Sequence, residues 1–172
     1  MWGVGGYNTL VQKDTVIELK ASNIEAQMKR RADLIPNLVS TVKGYASHEK
    51  EIYENIANAR SRLLSANVGK NPQEAAAASR AFQGSLGRLL AVAENYPQLK
   101  ADQNFIRLQD ELTGTENRMG FARVQFNEAV QAYNLAVRTF PTSLIAGITG
   151  FGKKEPFEAE EADKAVPKVS FE

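Results

Sequence analysis

The sequence predicts an all-α protein: an antiparallel up-and-down four-helix bundle of long helices, followed by a short extended or helical C-terminal tail. Two observations carry this prediction. Apolar residues recur at alternating steps of three and four over most of the chain, which is the spacing of one face of a helix. No comparable run of alternating β-branched residues is present, so strands are not expected. The length of 172 residues fits one domain that buries its own core.

The first apolar seam begins at Tyr7 and meets a proline at Pro36. A proline inside a helix removes one backbone hydrogen bond and costs about 3 kcal/mol. An unbroken helix over residues 7–66 would be roughly 90 Å long, and no other segment is long enough to cover the apolar stripe of such a rod. We therefore expect a break at residues 34–36 that separates two helices, with a single proline-kinked helix as the alternative.

Turn residues place the third and fourth helices. The third helix is expected to begin with Asn71 as its N-cap and Pro72 in its first turn, and to end at residues 95–97, where a proline follows. The fourth is expected to begin after the N-cap Asp102 and to end at residues 140–142. Its apolar seam holds over about five heptads. At roughly 58 Å, this helix is expected to overhang the others.

The two ends of the chain differ from the bundle region at residues 7–141. Residues 1–6, MWGVGG, are interpreted as the remnant of a membrane anchor or as an ordinary frayed terminus, because they are far too short to span a bilayer. Residues 142–172 form a tail that contains an apolar run at 144–151. We expect this tail to fold back over the open end of the bundle, with membrane insertion of the run as the alternative. The segment 166–171 is expected to lie extended along the bundle.

Composition removes most catalytic chemistry. The chain has no cysteine, which excludes thiolate nucleophiles, disulfides and cysteine-bound metal centres. His48 is the only histidine, so metal motifs that need two histidines are excluded as well. No serine lies in a nucleophile elbow, and no glycine-rich phosphate loop follows a strand. We therefore expect no enzymatic activity, no cofactor and no metal. With 21 basic and 20 acidic residues, the chain also has no bulk electrostatic attraction to nucleic acid.

Charged residues in or beside the apolar seams are the candidate binding residues. Asp14, Arg31 and Glu49 fall on seam positions, and a buried charge costs several kcal/mol, of the order of 3–5, when it loses its partner. Acids and arginines from different helices are therefore expected to meet. Two interpretations stay open: pairs that set the register of the helices, or a polar pocket that binds a partner or ligand. The candidate set is Arg30, Arg31, Asp33, His48, Glu49, Glu116, Asn117 and Arg118.

Several of these residues stand in motifs that resemble the LemA family. The motifs are RRADLIPNL at residues 30–38, HE at 48–49, ENR at 116–118 and RTFP at 138–141, with further matches between Tyr7 and about Phe157. The combination is far more specific than any single motif. The resemblance implies a bacterial protein with one N-terminal transmembrane helix followed by a helical bundle. It implies no catalytic activity and no cofactor.

The resemblance and the composition together predict a non-enzymatic interaction or scaffolding module at the bacterial cell envelope. We expect single-pass anchoring in the bacterial cell membrane through an N-terminal helix that is missing here, and an envelope protein of unknown identity as the partner. The alternative is a protein that binds a small ligand or a lipid headgroup at a polar cluster between helices. A third possibility is an accessory subunit of a membrane protease or transporter. The heptad pattern leaves the oligomeric state open, because such seams pack within one chain or between chains.

Overall fold

The computed structural model describes residues 2–157, and every regular element in this range is helical, so the predicted all-α class is confirmed. Four helices are long and two are short. The helices are α1 (Trp2–Lys43), α2 (Lys50–Ser65), α3 (Pro72–Val92), α4 (Pro97–Lys100), α5 (Gln103–Arg138) and α6 (Thr142–Thr149). A 3₁₀ turn at Ala93–Asn95 joins α3 to α4.

The longest helices, α1 and α5, run antiparallel and pack together along their length. Arg30 of α1 pairs with Glu111 of α5 at 3.0 Å. Gln27, three residues earlier in α1, accepts a hydrogen bond from Arg118, seven residues later in α5. Because the positions advance in opposite directions, the two helices are antiparallel. Their shared apolar seam places Leu10, Ile17 and Ile24 of α1, and Phe126, Val130 and Tyr133 of α5, in the core.

Helices α2 and α3 form a hairpin that covers one half of this pair. Arg62 of α2 pairs with Glu74 of α3 at 3.1 Å, next to the turn between them. The same turn is held to α1 because the Val68 amide donates to the Glu25 carboxylate at 3.1 Å. The hairpin therefore reaches only to the middle of α1. Beyond it, α1 and α5 extend together, so the predicted overhang belongs to two helices and not to one.

Helix α1 continues through Pro36, so the predicted break at residues 34–36 is wrong. The side chain of Pro36 is exposed and causes no clash in the core. Its missing N–H leaves the carbonyl oxygen of Ala32, four residues earlier, without a helical donor. Arg60 of α2 replaces that donor, because its Nε donates to Ala32 O at 2.8 Å. The chain turns only after Lys43, where α1 ends.

The apolar stripe of α1 is covered, and the rod over residues 7–66 that nothing could cover does not form, because α1 ends at Lys43. At 42 residues α1 is roughly 63 Å long, and α5, with 36 residues, is roughly 54 Å. The α2–α3 hairpin covers one half of the α1–α5 pair, and residues 142–157 cover the other half. The α1–α5 pair and the α2–α3 hairpin together supply four long helices, which is compatible with the predicted four-helix bundle.

Two predicted caps are confirmed. The Asn71 side chain accepts from the Glu74 amide at 3.1 Å, and Pro72 stands in the first turn of α3. The Asp102 carboxylate accepts from the Phe105 amide at 3.1 Å at the start of α5. Both bonds satisfy amide groups that a helix leaves without partners in its first turn.

Residues 142–157 pack against α1 and α5. The core there includes Ala146 and Phe157, while the Phe151 ring lies edge-on to Tyr7 and Tyr133, with centroid distances of 5.9 and 6.4 Å. The segment 166–171, expected to lie extended along the bundle, is outside the described residues. Residues 2–6 are the first part of α1.

Candidate functional site

The eight candidate binding residues do not form one pocket. They lie in three places: a buried position between α1 and α3, the turn at residues 44–49, and an exposed strip along α1 and α5. Arg31 is 1% exposed, and Glu49 is partly buried. The exposed members are Arg30, Asp33, His48, Glu116, Asn117 and Arg118.

Arg31 is the buried member, and it joins α1 to α3. Its guanidinium lies over the ring of Phe82, 5.0 Å from the centroid, and its Nη2 donates to the Gln83 side chain at 2.5 Å. An arginine stacked on an aromatic ring keeps a favourable electrostatic contact after it loses water. Glu49 lies beyond the end of α1, so the two seam charges are roughly 18 Å or more apart along the helix. The structure therefore does not bring Arg31 and Glu49 together.

The turn at residues 44–49 carries His48 and Glu49, and two tyrosines hold it. The Tyr45 hydroxyl donates to the Asp102 carboxylate at 2.7 Å, and the Tyr53 hydroxyl donates to the carbonyl oxygen of Ala46. The hydrogen bond from Tyr45, followed by the one from the Phe105 amide, lowers the pKa of Asp102. The same bond raises the pKa of Tyr45. These contacts connect the turn at residues 44–49 to the start of α5.

An exposed polar strip follows the seam between α1 and α5; we call Gln27, Arg30, Arg107, Glu111 and Arg118 the α1–α5 strip. Glu111 accepts from two arginines, Arg30 at 3.0 Å and Arg107 at 2.8 Å. Arg118 donates to Gln27 at 3.1 Å. Arg30 and Glu111 are an arginine and an acid of different helices that meet, but neither is one of the seam charges Asp14, Arg31 and Glu49 from which such pairs were expected. The acid in that pair is not one of the predicted candidates.

A shallow groove continues the strip toward the middle of the α1–α5 pair. Phe121 is 67% exposed there, and Val124 is also exposed. The groove is lined on the α1 side by Asn23 and Gln27, and on the α5 side by Asn117, Arg118, Phe121 and Gln125. Two of the predicted candidates, Asn117 and Arg118, therefore border an exposed aromatic ring. Glu116 and Asp33 are exposed on the same two helices.

Two asparagines that the sequence reasoning did not single out as site residues strap the tail to α5. Asn134 accepts from the Lys154 amide at 2.8 Å and donates to the Lys154 carbonyl at 2.9 Å. Asn127, two turns earlier, makes the same pair of bonds with Phe157, at 2.8 and 3.0 Å. The Lys154 ammonium also pairs with Asp14 of α1 at 2.9 Å. A signal was present in the sequence, because an aromatic–asparagine pair repeats after seven residues, as FN and YN.

Within residues 2–157 no three histidine or acidic side chains lie close enough together to hold a metal ion. None of the helices described here combines the length and the apolar character needed to cross a bilayer.

These contacts define an elongated helical bundle built on one long antiparallel pair, with a strapped tail and a polar strip on its surface. The LemA family model matches residues 20–171, and the chain belongs to the LemA family.

Curated relatives include two magnetosome proteins. The chain is 27% identical to magnetosome protein MamQ 2 of Paramagnetospirillum magneticum over 179 residues, and to magnetosome protein MamQ of Magnetospirillum gryphiswaldense at the same identity and length. Each alignment covers 91% of this chain and 66% of the relative, so the chain spans just under two thirds of these proteins. Protein LemA of Metamycoplasma hominis is 26% identical over 162 residues, covering 94% of this chain and 73% of that protein.

Proposed function

We propose that this chain is the non-enzymatic helical module of a protein anchored in the bacterial cell membrane, and that it holds an envelope protein partner on the α1–α5 strip and its groove. Membership of the LemA family supports the membrane anchor, because the resemblance implies one transmembrane helix ahead of the bundle. The observation that carries the partner proposal is the exposed ring of Phe121 beside Arg118 on a rigid helix pair.

The composition of the groove suits a protein partner. Aromatic residues and arginine are enriched at the centres of protein interfaces, where they supply most of the binding energy. Phe121 and Arg118 stand one helical turn apart on α5, so one partner surface can contact both. The strip holds its arginines in place through Glu111 and Gln27, which reduces the entropy lost on binding.

The proposal includes no catalytic step. The single histidine, His48, is exposed in the turn at residues 44–49, and nothing in the groove provides an activated nucleophile. The strip contributes positioned charge and an apolar contact, which are the requirements of recognition rather than of bond breaking.

The test is site-specific photo-crosslinking of the full-length protein in its own cells. A photoreactive residue at position 121 is expected to give a discrete crosslinked species, and Arg118→Glu in the same protein is expected to remove it. The matched control is a photoreactive residue at Asn58, which is exposed on α2 away from the groove. Equal crosslinking from both positions, or a product insensitive to Arg118→Glu, contradicts the proposal. Mass spectrometry of the product separates a scaffolded envelope protein from a membrane protease or transporter.

A second candidate function is binding of a small anionic ligand or a lipid headgroup. A groove on α5 at the other end of the strip is bordered by Arg107 and Arg118, with Asp110 and Glu111 between them. Two arginines facing one groove can each contact an anionic group. Thermal-shift measurements with phosphate, carboxylate and headgroup compounds test this function. A shift that Arg118→Glu abolishes supports it, and no shift with any compound counts against it.

A further inference from the structure

One end of the bundle exposes a ridge of large apolar side chains. Phe140, Leu144 and Ile148 follow each other at four-residue intervals, and they are 75%, 50% and 82% exposed. We call these three residues the apolar ridge. Successive steps of four place the side chains of a helix on one side, so the last two form one face of α6 with Phe140 just ahead of it. An exposed contiguous apolar group of this kind marks an interaction surface.

The ridge faces outward because the other side of α6 is held against α1. Ile145 lies 3.2 Å from the position that a Cβ on Gly6 would occupy, and 3.7 Å from that of Gly3. These two glycines let the helices approach closely. Ala146, next to Ile145, is fully covered. With this face in the core, the ridge is left on the surface, and Val4 in the first turns of α1 is also exposed.

The same end of the protein has a one-sided charge. We call residues 2–13 and 129–154, which include the start of α1, the end of α5 and α6, the tip. The tip contains four basic residues, Lys13, Arg138, Lys153 and Lys154, and no acidic residue, while Asp14, Glu128 and Glu155 adjoin it in the sequence. Lys154 is paired with Asp14, which lies just outside the tip. Arg138 and Lys153 are exposed.

We propose that the tip docks directly on the surface of an anionic lipid bilayer, with the apolar ridge in the interfacial region and Arg138 and Lys153 near the lipid phosphates. An apolar helix face with basic residues beside it is the composition that binds anionic interfaces. The basic charge of the tip argues against a second copy of this chain as the partner of the ridge, because two tips placed face to face bring basic residues together. This contact goes beyond the proposed partner function, and it involves a different surface of the molecule.

The test is vesicle binding by the chain of residues 1–172. Vesicles of phosphatidylcholine alone are compared with vesicles that contain about one third phosphatidylglycerol, by co-sedimentation and by the emission of the only tryptophan, at position 2. The protein is expected to bind the anionic vesicles, and to bind them less in high salt. The double variant Leu144→Asp/Ile148→Asp is expected to bind them at least roughly tenfold more weakly, because two large apolar groups no longer leave water. Arg138→Glu/Lys153→Glu is expected to lose only the preference for anionic vesicles.

The matched control is Leu19→Asp/Leu64→Asp, which adds the same two charges at exposed leucines outside the tip. This control is expected to bind as the unaltered protein does, and circular dichroism melts show that each variant is folded. Three results overturn the proposal: no binding of the unaltered protein to either vesicle, unchanged binding of the ridge variant, or equal loss in the control. A dimer in sedimentation velocity that only the ridge variant abolishes assigns the ridge to a second copy instead. Crosslinking at position 121 is expected to be unaffected by the ridge variant, so the two proposals fail separately.

Discussion

The Nε of Arg60 donates to the carbonyl oxygen of Ala32 at 2.8 Å, and that oxygen is the acceptor that Pro36 leaves without a helical donor. The bond therefore links α2 to the position in α1 where the proline removes a backbone hydrogen bond. An unpaired buried carbonyl costs about 1–3 kcal/mol, which is comparable to the cost of the proline itself. We infer that α1 remains a single helix through Pro36 because a side chain of the next helix completes its hydrogen bonding.

Removal of this donor should destabilise the protein more while the proline is present than without it. Arg60→Ala is expected to lower the free energy of unfolding by about 1–3 kcal/mol. In the Pro36→Ala background, residue 36 regains its N–H, so the same substitution should cost at least about 1 kcal/mol less. Urea denaturation of the four proteins in this cycle measures the difference. Arg88→Ala, an exposed arginine on α3, is the control and is expected to have an effect below about 0.5 kcal/mol. Equal costs in both backgrounds contradict the role of Arg60.

The sequence was sufficient to predict the fold class and the caps at Asn71 and Asp102, because both depend on local spacing. It was not sufficient to predict that α1 passes through Pro36. Arg60 is 28 residues from Ala32 in the chain, so its donation to that carbonyl depends on how α2 packs against α1. A rule based on local sequence includes the backbone hydrogen bond that a proline removes. It does not include a donor that reaches the free carbonyl from a distant part of the chain.

The candidate site was predicted only in part, for a similar reason. Periodicity placed Arg31 at a buried position, and Arg31 is buried. It did not identify Glu111 as the acid that pairs with Arg30. Glu111 lies beside the apolar seam of α5, and the rotation of α5 about its own axis decides which side of that seam faces α1. The straps of Asn127 and Asn134 were also missed. The repeated FN and YN pairs are visible in the sequence, but the asparagines bind backbone atoms of the tail, so no residue type marks their partners.

Arg31 should behave as a structural residue if its contacts to α3 set the helix register. Arg31→Ala removes the stack on Phe82 and leaves a cavity, so it is expected to lower the free energy of unfolding by about 2–4 kcal/mol. Arg31→Met fills most of the volume without a buried charge and is expected to cost less than about 1.5 kcal/mol. Chemical denaturation measures both. A fully stable Arg31→Ala protein contradicts the structural role and favours a binding role.

The strap on the tail should open when its asparagines are removed. Asn127→Ala/Asn134→Ala deletes four hydrogen bonds to Lys154 and Phe157, and their amides are expected to exchange with deuterium at least roughly tenfold faster. Hydrogen exchange followed by NMR measures these two amides directly. Gln131→Ala, at an exposed position between the two asparagines on α5, is the control and should leave the exchange rates unchanged. Unchanged protection in the double variant shows that the packing of Phe157 alone holds the tail.

The bond between Tyr45 and Asp102 should give the protein a pH dependence at both ends of the scale. The pKa of Asp102 lies below its ordinary value of 3.8 in the folded state, so the stabilisation is present above that pH and is lost as the pH falls through the lowered pKa. The pKa of Tyr45 lies above 10.0, so its contribution is present below that pH and is lost as the pH rises through the raised pKa. NMR titration of both groups measures the two shifts. In Tyr45→Phe, the pKa of Asp102 is expected to rise toward 3.8 and to stay below it, because the Phe105 amide still donates to the carboxylate. The control is Tyr53→Phe, because the Tyr53 hydroxyl bonds Ala46 instead, and it should leave the pKa of Asp102 unchanged. If the pKa of Asp102 does not change in Tyr45→Phe, the bond from Tyr45 has no influence on the ionisation of Asp102.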